Sequence, residues 1–325
     1  MKPVLGVLGF LIAYSCCTAS GDVVIDKRAD ANALDVRIDG ELFTTYYYPE
    51  GVTKPYLWPL NAEGGATLTR DYPMGPAKLT DDHEHHQSFW TAYGEVNEAD
   101  YWEYGERTGY ERAEEVTWGG EPGFGWIRAN NVWDDKDHKP VIREQREYRF
   151  YNSPAAARLF DVRITFTTEF GDVHFGDTKE GGLVAFRIAD ALTENPGTGI
   201  MTNAEGKTGE KAIWGKPSAW LDYSGTLEGV GVRGIAVFDH PDNFGHPSRW
   251  HARGYGLVGA NPFGLAQYTN GKLRGGHAVN RGESLTFNYR VYVHSGNVQE
   301  ARVADRYAEY KAGKSNGIPT GELKP

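Results

Sequence analysis

Ala157–Glu169 reads Ala-Arg-Leu-Phe-Asp-Val-Arg-Ile-Thr-Phe-Thr-Thr-Glu, and within it Val162, Ile164 and Phe166 alternate with Arg163 and Thr165. Side chains of a strand point to its two faces in turn, so this period of two describes a strand with one buried and one wet face. Strand-like runs recur at Ala33–Ile38, Leu42–Tyr48, Arg143–Tyr151, Gly182–Ile188, Val230–Asp239 and Ser284–His294. Ile38-Asp39-Gly40-Glu41-Leu42 sets an Asp-Gly pair between two of them, the signal of a tight hairpin. The runs are evenly spread, with no strand–helix–strand alternation, no repeat and no Pro/Ser-rich linker. The reading is all-β: one antiparallel β-sandwich domain over residues 21–325. One helix is expected near the C-terminus. Asn297 and Glu300 make an approximate capping box, Val298, Ala301, Tyr307 and Tyr310 share a face, and Gly313 ends it. Its expected place is across one end of the sandwich.

Composition agrees with this class. The 325 residues include 41 Gly, 19 Tyr and 9 Trp, which suits short strands joined by turns. The formal charge is −10, from 34 basic and 44 acidic residues. Nucleic-acid binders carry basic patches and this sequence has none, so nucleic acid is excluded as a partner and anionic membrane is disfavoured. A neutral ligand, or one met by a local Arg or Lys, fits better. The sequence does not fix an oligomeric state.

Met1-Lys2-Pro3 and the apolar run Val4–Ala13, followed by Ser15, Thr18, Ala19 and Ser20, read as an export signal over residues 1–20. The protein is expected in the periplasm or outside the cell. No later stretch is apolar for long enough to span a bilayer as a helix. Both cysteines, Cys16 and Cys17, fall inside this segment, and cleavage after Ala19 leaves no thiol. The alternative is lipid attachment at Cys16, because Ile12-Ala13-Tyr14-Ser15-Cys16 is similar to a lipoprotein cleavage box.

The chemistry concentrates in Asp82-His83-Glu84-His85-His86, followed at once by the aromatic residues Phe89, Trp90 and Tyr93. In an extended segment His83 and His85 share one face and His86 takes the other. Two imidazoles on one face bind a metal or move protons near neutral pH, and Asp82 can orient a ring by accepting its N–H. A solvated charged loop is the plain alternative. The His-x-His spacing is similar to that of cupins, but Phe89 and Trp90 stand where a cupin Glu would complete the ligand set. The sequence requires no cofactor, although His83 and His85 offer a metal two ligands.

Two further stretches carry candidates. Asp239-His240-Pro241-Asp242-Asn243 and Trp250-His251-Ala252-Arg253-Gly254-Tyr255 combine His with Pro, Gly and Asn in loop-like order. In the second, strand alternation puts His251, Arg253 and Tyr255 on one face and Trp250 with Ala252 on the other. Lys179-Glu180-Gly181-Gly182 offers Glu180 as an acid, base or ligand, and Arg70 is a planar fork suited to a carboxylate. The candidate catalytic set is therefore His83, His85, His86, Glu180, His240, His251 and Tyr255. Candidate binding residues are Arg70, Asp82, Trp90, Asn243, Trp250 and Arg253.

These motifs occur in an order that resembles one exported bacterial family, often labelled "methane oxygenase PmoA". The resemblance runs from about residue 42 to 295 through Lys54-Pro55-Tyr56, Thr69-Arg70, Asp82-His83-x-His85-His86, Gly94-x-Val96-Asn97, Lys179-Glu180-Gly181-Gly182-Leu183, Trp220-x-Asp222-Tyr223, Trp250-His251-x-Arg253-x-Tyr255 and Asn261-Pro262-Phe263-Gly264. Gln87-Ser88 replaces the more usual Arg-Gly, and Glu98 stands where Gly is typical. A membrane oxygenase subunit needs several spanning helices, which this sequence lacks after its leader. The label is therefore read as a misnomer. The resemblance implies instead an uncharacterised β-sandwich found among exported carbohydrate-degrading functions, with the galactose-mutarotase-like supersandwich as a fold-level analogy. The reading is a carbohydrate-active enzyme of hydrolase, lyase or epimerase type. Its rivals are a non-catalytic carbohydrate-binding protein and a His-ligated metal-dependent oxidase or oxygenase.

Overall fold

The computed structural model describes residues 22–29, 31–315 and 318–319; the expected export signal with Cys16 and Cys17 lies outside them. In chain order the strands are β1 (Val23–Lys27), β2 (Ala33–Ile38), β3 (Glu41–Tyr47), β4 (Tyr56–Leu57), β5 (Phe89–Tyr93), β6 (Tyr110–Glu121), β7 (Phe124–Asp134), β8 (Pro140–Tyr151) and β9 (Ala157–Thr167). They continue with β10 (Val173–Phe175), β11 (Gly181–Arg187), β12 (Ile200–Asn203), β13 (Trp220–Leu227), β14 (Gly231–Asp239), β15 (Arg249–Ala252), β16 (Leu257–Asn261), β17 (His277–Val279) and β18 (Ser284–Ser295). The helices used below are α1 (Glu210–Ile213) and α2 (Val303–Lys311).

Two eight-stranded antiparallel sheets result. The first runs β1-β2-β3-β4-β5-β11-β16-β15 and the second β12-β13-β14-β18-β9-β8-β7-β6. The Asp39-Gly40 turn joins β2 to β3 with φ of 57° and 79°, the left-handed pair that a two-residue hairpin needs. The inner faces meet through aromatic side chains. Phe43 lies 6.1 Å from Phe150 and 5.9 Å from Phe160, and Phe89 lies 5.3 Å from Phe160. Val162, Ile164 and Phe166 all point into this core, as their alternation predicts. The fold is the expected antiparallel β-sandwich with a C-terminal helix.

The helix differs in start and place. The Asn297–Glu300 box forms, with Glu300 accepting from the Asn297 N–H at 2.9 Å and Asn297 Oδ1 accepting from the Glu300 N–H at 3.0 Å. Arg302 then adopts a left-handed φ of 54°, so the box closes a separate turn and α2 begins at Val303. The helix lies on the outer face of the second sheet rather than across one end. Tyr307 and Tyr310 pack 5.8 and 6.2 Å from Phe238, because that face carries its own apolar patch of Leu159, Trp220, Phe238 and Tyr292.

Candidate functional site

The outer face of the first sheet holds the site. Register pairs Tyr47 with Tyr56, Tyr56 with Trp90, Trp90 with Ala185, Ala185 with Gly259 and Gly259 with His251, giving one row across six strands. The row is aromatic at one end and small in the middle. Gly259 has no room for a side chain, since a Cβ there would meet the Gly181 carbonyl oxygen at 3.0 Å. Over the low centre lies Trp102, 5.4 Å from Trp90 and 6.0 Å from His251, centroid to centroid.

The histidine loop closes on this floor. It is not extended: His83 takes a left-handed φ of 48°, and the turn gathers all three rings instead of splitting them between faces. His86 stacks on Trp90 at 5.3 Å and on His83 at 4.9 Å, while His85 stands edge-on to His86 at 4.4 Å. Asp82 ties the loop down. Its Oδ1 accepts from Arg70 at 2.7 Å and Arg187 at 3.0 Å, and its Oδ2 lies 3.0 Å from His83 Nδ1. Burial opposes its ionisation, but Arg187, Arg70 and His83 outweigh that and hold its carboxyl below the usual range. Arg187 Nη1 also donates to His86 Nδ1 at 3.2 Å. A guanidinium only donates, so Nδ1 is the acceptor and the His86 proton sits on Nε2.

The second wall comes from β11, β15 and the turn after it. His251 is 2% exposed, and its Nδ1 lies 3.8 Å from Glu180 Oε2. Glu180 is also ion-paired with its neighbour Lys179. Arg253 Nε lies 2.8 Å from Glu210 Oε1 of α1, an ion pair without hydrogen-bond alignment. Tyr255 stacks on His83 at 5.0 Å and lies under the Arg187 guanidinium at 4.5 Å, which joins the two walls. Burial is the first reason that His251 is pushed down to about 3, with Lys179, Arg253 and His83 adding to it. Burial, then Lys54, His83, Arg70 and Arg187, lower His85 to about 3 as well. Both are neutral imidazoles at pH 7, able to donate and accept.

The structure therefore brings together His83, His85, His86, Asp82, Trp90, Glu180, His251, Arg253 and Tyr255. Three other expected residues lie elsewhere. Trp250 points between the sheets and donates to the Ser218 carbonyl at 2.9 Å, as its opposite strand parity requires. His240 packs 5.3 Å from Tyr310 of α2, on the far sheet. Asn243 holds its own loop, donating to Asp239 Oδ1 at 2.7 Å and accepting from the Asn288 N–H. Arg70 is at the site but fully engaged. Its five N–H groups go to Tyr72 O, Thr80 Oγ1, Asp82 Oδ1, Asp82 O and His83 O, so it clamps the loop and leaves no fork for a ligand. A cavity of about 820 Å³ against Glu111, Asp134 and His138 involves none of the flagged residues. Among the described residues no three His, Cys, Asp or Glu side chains converge as metal ligands; the histidines meet through ring contacts.

Arg187 and Lys54 are not among the candidate site residues read from the sequence, although Lys54 opens one of the family motifs. Arg187 ends the apolar run Leu183–Phe186, and a fully buried cation at that position is its only signal. Lys54, also fully buried, donates to the carbonyls of Tyr101 and Trp102 at 3.2 Å and lies 5.3 Å over the Tyr104 ring. It thereby fixes the turn that carries Trp102 and Tyr104. Burial lowers its ammonium to about 8 against the pull of Glu111 and Asp100.

Residues 33–308 match the model of a family of unknown function (DUF6807), and the chain belongs to that family. The family's description carries no PmoA label. No curated protein matches. Among solved structures the chain is similar to a β-arabinopyranosidase at 10% identity and TM-score 0.41, covering 83% of this chain and 40% of that one. It is similar to a polysaccharide lyase at 15% identity and TM-score 0.34, covering 85% of this chain and 33% of that one. A galactose mutarotase related enzyme from Lactobacillus acidophilus gives 8% identity and TM-score 0.33, covering 84% of this chain and 98% of that one. The chain thus spans well under half of the first two proteins. No helix among the described residues is long and apolar enough to cross a membrane.

Proposed function

We propose that this member of the family is a carbohydrate-active enzyme that performs acid–base chemistry on a sugar held against the outer face of the first sheet. The observation that carries the reading is His251: a buried neutral imidazole whose two ring nitrogens find no partner among the described residues, 3.8 Å from the Glu180 carboxylate. A carboxylate beside a neutral imidazole is a base beside a hydrogen-bond donor, the pair that glycoside hydrolysis, elimination and epimerisation all draw on. Glu180 takes the proton. His251 donates to the oxygen that gains charge, and the Arg253 cation stabilises that charge. The exposed rings of Tyr104 and His83 are of the kind that lie flat on the C–H face of a sugar. The substitution of choice at each position keeps shape and removes proton transfer. Wild type is screened on neutral and acidic oligosaccharides beside Glu180→Gln and His251→Asn, with circular dichroism as a folding control. The expected loss is about 10²–10⁴-fold in kcat/KM for each variant. A sugar turned over equally by all three proteins overturns the assignment. Binding without turnover that survives both substitutions makes the chain a sugar-binding protein instead.

A further inference from the structure

The polarity of the unmet groups inside this site narrows the ligand. Trp90 Nε1, Trp102 Nε1 and Arg187 Nε are buried and find no acceptor among the described residues, and His251 has neither nitrogen satisfied. The four are contiguous. Trp102 contacts both Trp90 and His251, and His86 links Trp90 to Arg187. Indole and guanidinium N–H groups donate and never accept, and the imidazole supplies one donor more. An unmet buried donor costs about 1–3 kcal/mol, so a cluster of them is a poor resting state and a good receptor for acceptor atoms.

A sugar hydroxyl answers such a donor but brings a proton of its own that needs an acceptor. The nearby carboxylates are already paired, Asp82 with Arg70, Arg187 and His83, Glu180 Oε1 with Lys179, and Glu210 with Arg253, which leaves Glu180 Oε2 for the proton transfer proposed above. Gln87 Oε1, next to His86 in the chain, is a buried acceptor without a donor. A carboxylate has about four acceptor positions and no proton, which suits a set in which unmet donors outnumber unmet acceptors, the latter being the second His251 nitrogen and Gln87 Oε1. Lys179 and Arg253 stand partly exposed at the edge, with side chains 31% and 33% accessible, each beside its carboxylate partner Glu180 or Glu210.

We infer that the sugar is acidic, a uronic acid residue whose carboxylate is received by Trp90, Trp102, Arg187 and His251. This rests on the function proposed above and names its substrate class. The receiving groups are sealed in the structure, so entry requires the turn of Trp102 and Tyr104 to lift from the two carbonyl contacts with Lys54.

The test titrates the full chain with oligogalacturonate and oligoglucuronate of two to four residues beside neutral galactose and glucose oligomers of the same length, by calorimetry and thermal shift. Acidic oligomers are expected to bind at least tenfold more tightly. Trp102→Phe, which deletes one donor and keeps an aromatic ring, is expected to weaken them several-fold, and Arg253→Gln about tenfold. Neutral oligomers that bind or react as well as acidic ones overturn the substrate class and leave the proposed function standing. No response to sugars of either kind overturns both. Acidic oligomers that bind tightly and equally to wild type and both variants place the carboxylate elsewhere and overturn the assignment of its receiving groups.

Discussion

Two buried histidines, His294 and His251, sit on opposite sheets of this molecule. His294, on β18, is 1% exposed; its Nε2 lies 2.7 Å from Asp222 Oδ2, its Nδ1 lies 3.1 Å from the Gly296 carbonyl, and Asp222 Oδ1 accepts from Ser224 at 2.8 Å. His251, on β15, is 2% exposed and has no hydrogen-bond partner at either nitrogen among the described residues, with Glu180 Oε2 3.8 Å from its Nδ1. Burial, residue type and strand setting are alike, and the wiring is opposite. A saturated buried imidazole is scaffold, holding β13 to β18 across β14. An unsaturated one is where the function proposed above puts its substrate. The lesson is that a histidine's hydrogen-bond account, more than its burial or its neighbours in sequence, separates the two roles.

The contrast makes graded predictions. His294→Ala leaves Asp222 buried without its main partner and should cost about 3–5 kcal/mol in urea unfolding, the range for breaking a buried pair. A loss below about 1 kcal/mol would dissolve the distinction. Next in size is acid sensitivity. His251 and His85 are held near 3 when folded and return to the ordinary value of 6.5 when unfolded, so the unfolded chain binds more protons between those limits. Their contribution is present above about pH 6.5 and is lost as pH falls towards 3, on the order of a few kcal/mol. Thermal melts across that window should fall steeply for wild type and less steeply for His251→Leu. Third, His246 is satisfied but near the surface, with Nδ1 3.0 Å from Asp239 Oδ2 and a side chain 20% exposed. Because the Ser248 N–H and Asn243 still serve Asp239, His246→Ala should cost about 1 kcal/mol and leave sugar binding untouched. The smallest effect belongs to the site itself. At pH 7, His251→Leu should change stability by less than about 1 kcal/mol, because it removes unmet polar atoms, while ligand binding disappears from the calorimetric trace. A destabilisation matching that of His294→Ala would place His251 with the scaffold.

Much of this was legible in residues. Alternation at Val162–Phe166 and the Asp39-Gly40 turn gave strands and a hairpin because one face of each strand is apolar and the turn needs left-handed backbone. The hairpin of β6 and β7 was not legible. Tyr110–Glu121 buries Glu111 completely and leaves most of its other residues at the surface, so no apolar period exists to be read. At the site, the strand alternation read from Trp250 to Tyr255 stops at Ala252, and the turn after β15 rather than strand parity brings Arg253 and Tyr255 beside His251. Parity does place Trp250 opposite His251, which is why it serves the core. His240 and Asn243 were misassigned because an Asp-His-Pro-Asp-Asn loop looks the same whether it binds a ligand or holds its own turn. Arg187 and Lys54 act through contacts with residues far off in sequence, which spacing does not report.

The row from Tyr47 to His251 has a consequence for how the protein comes into being. Its members lie about 200 positions apart and meet only through the successive registers of β3, β4, β5, β11, β16 and β15. Closing loops of that length is entropically slow, so sheets built from distant strands assemble late. No fragment short of residue 259 contains the whole row, and a chain stalled during folding holds half a wall. The sugar binding proposed above should therefore appear in one late step during refolding, after most of the secondary structure has returned.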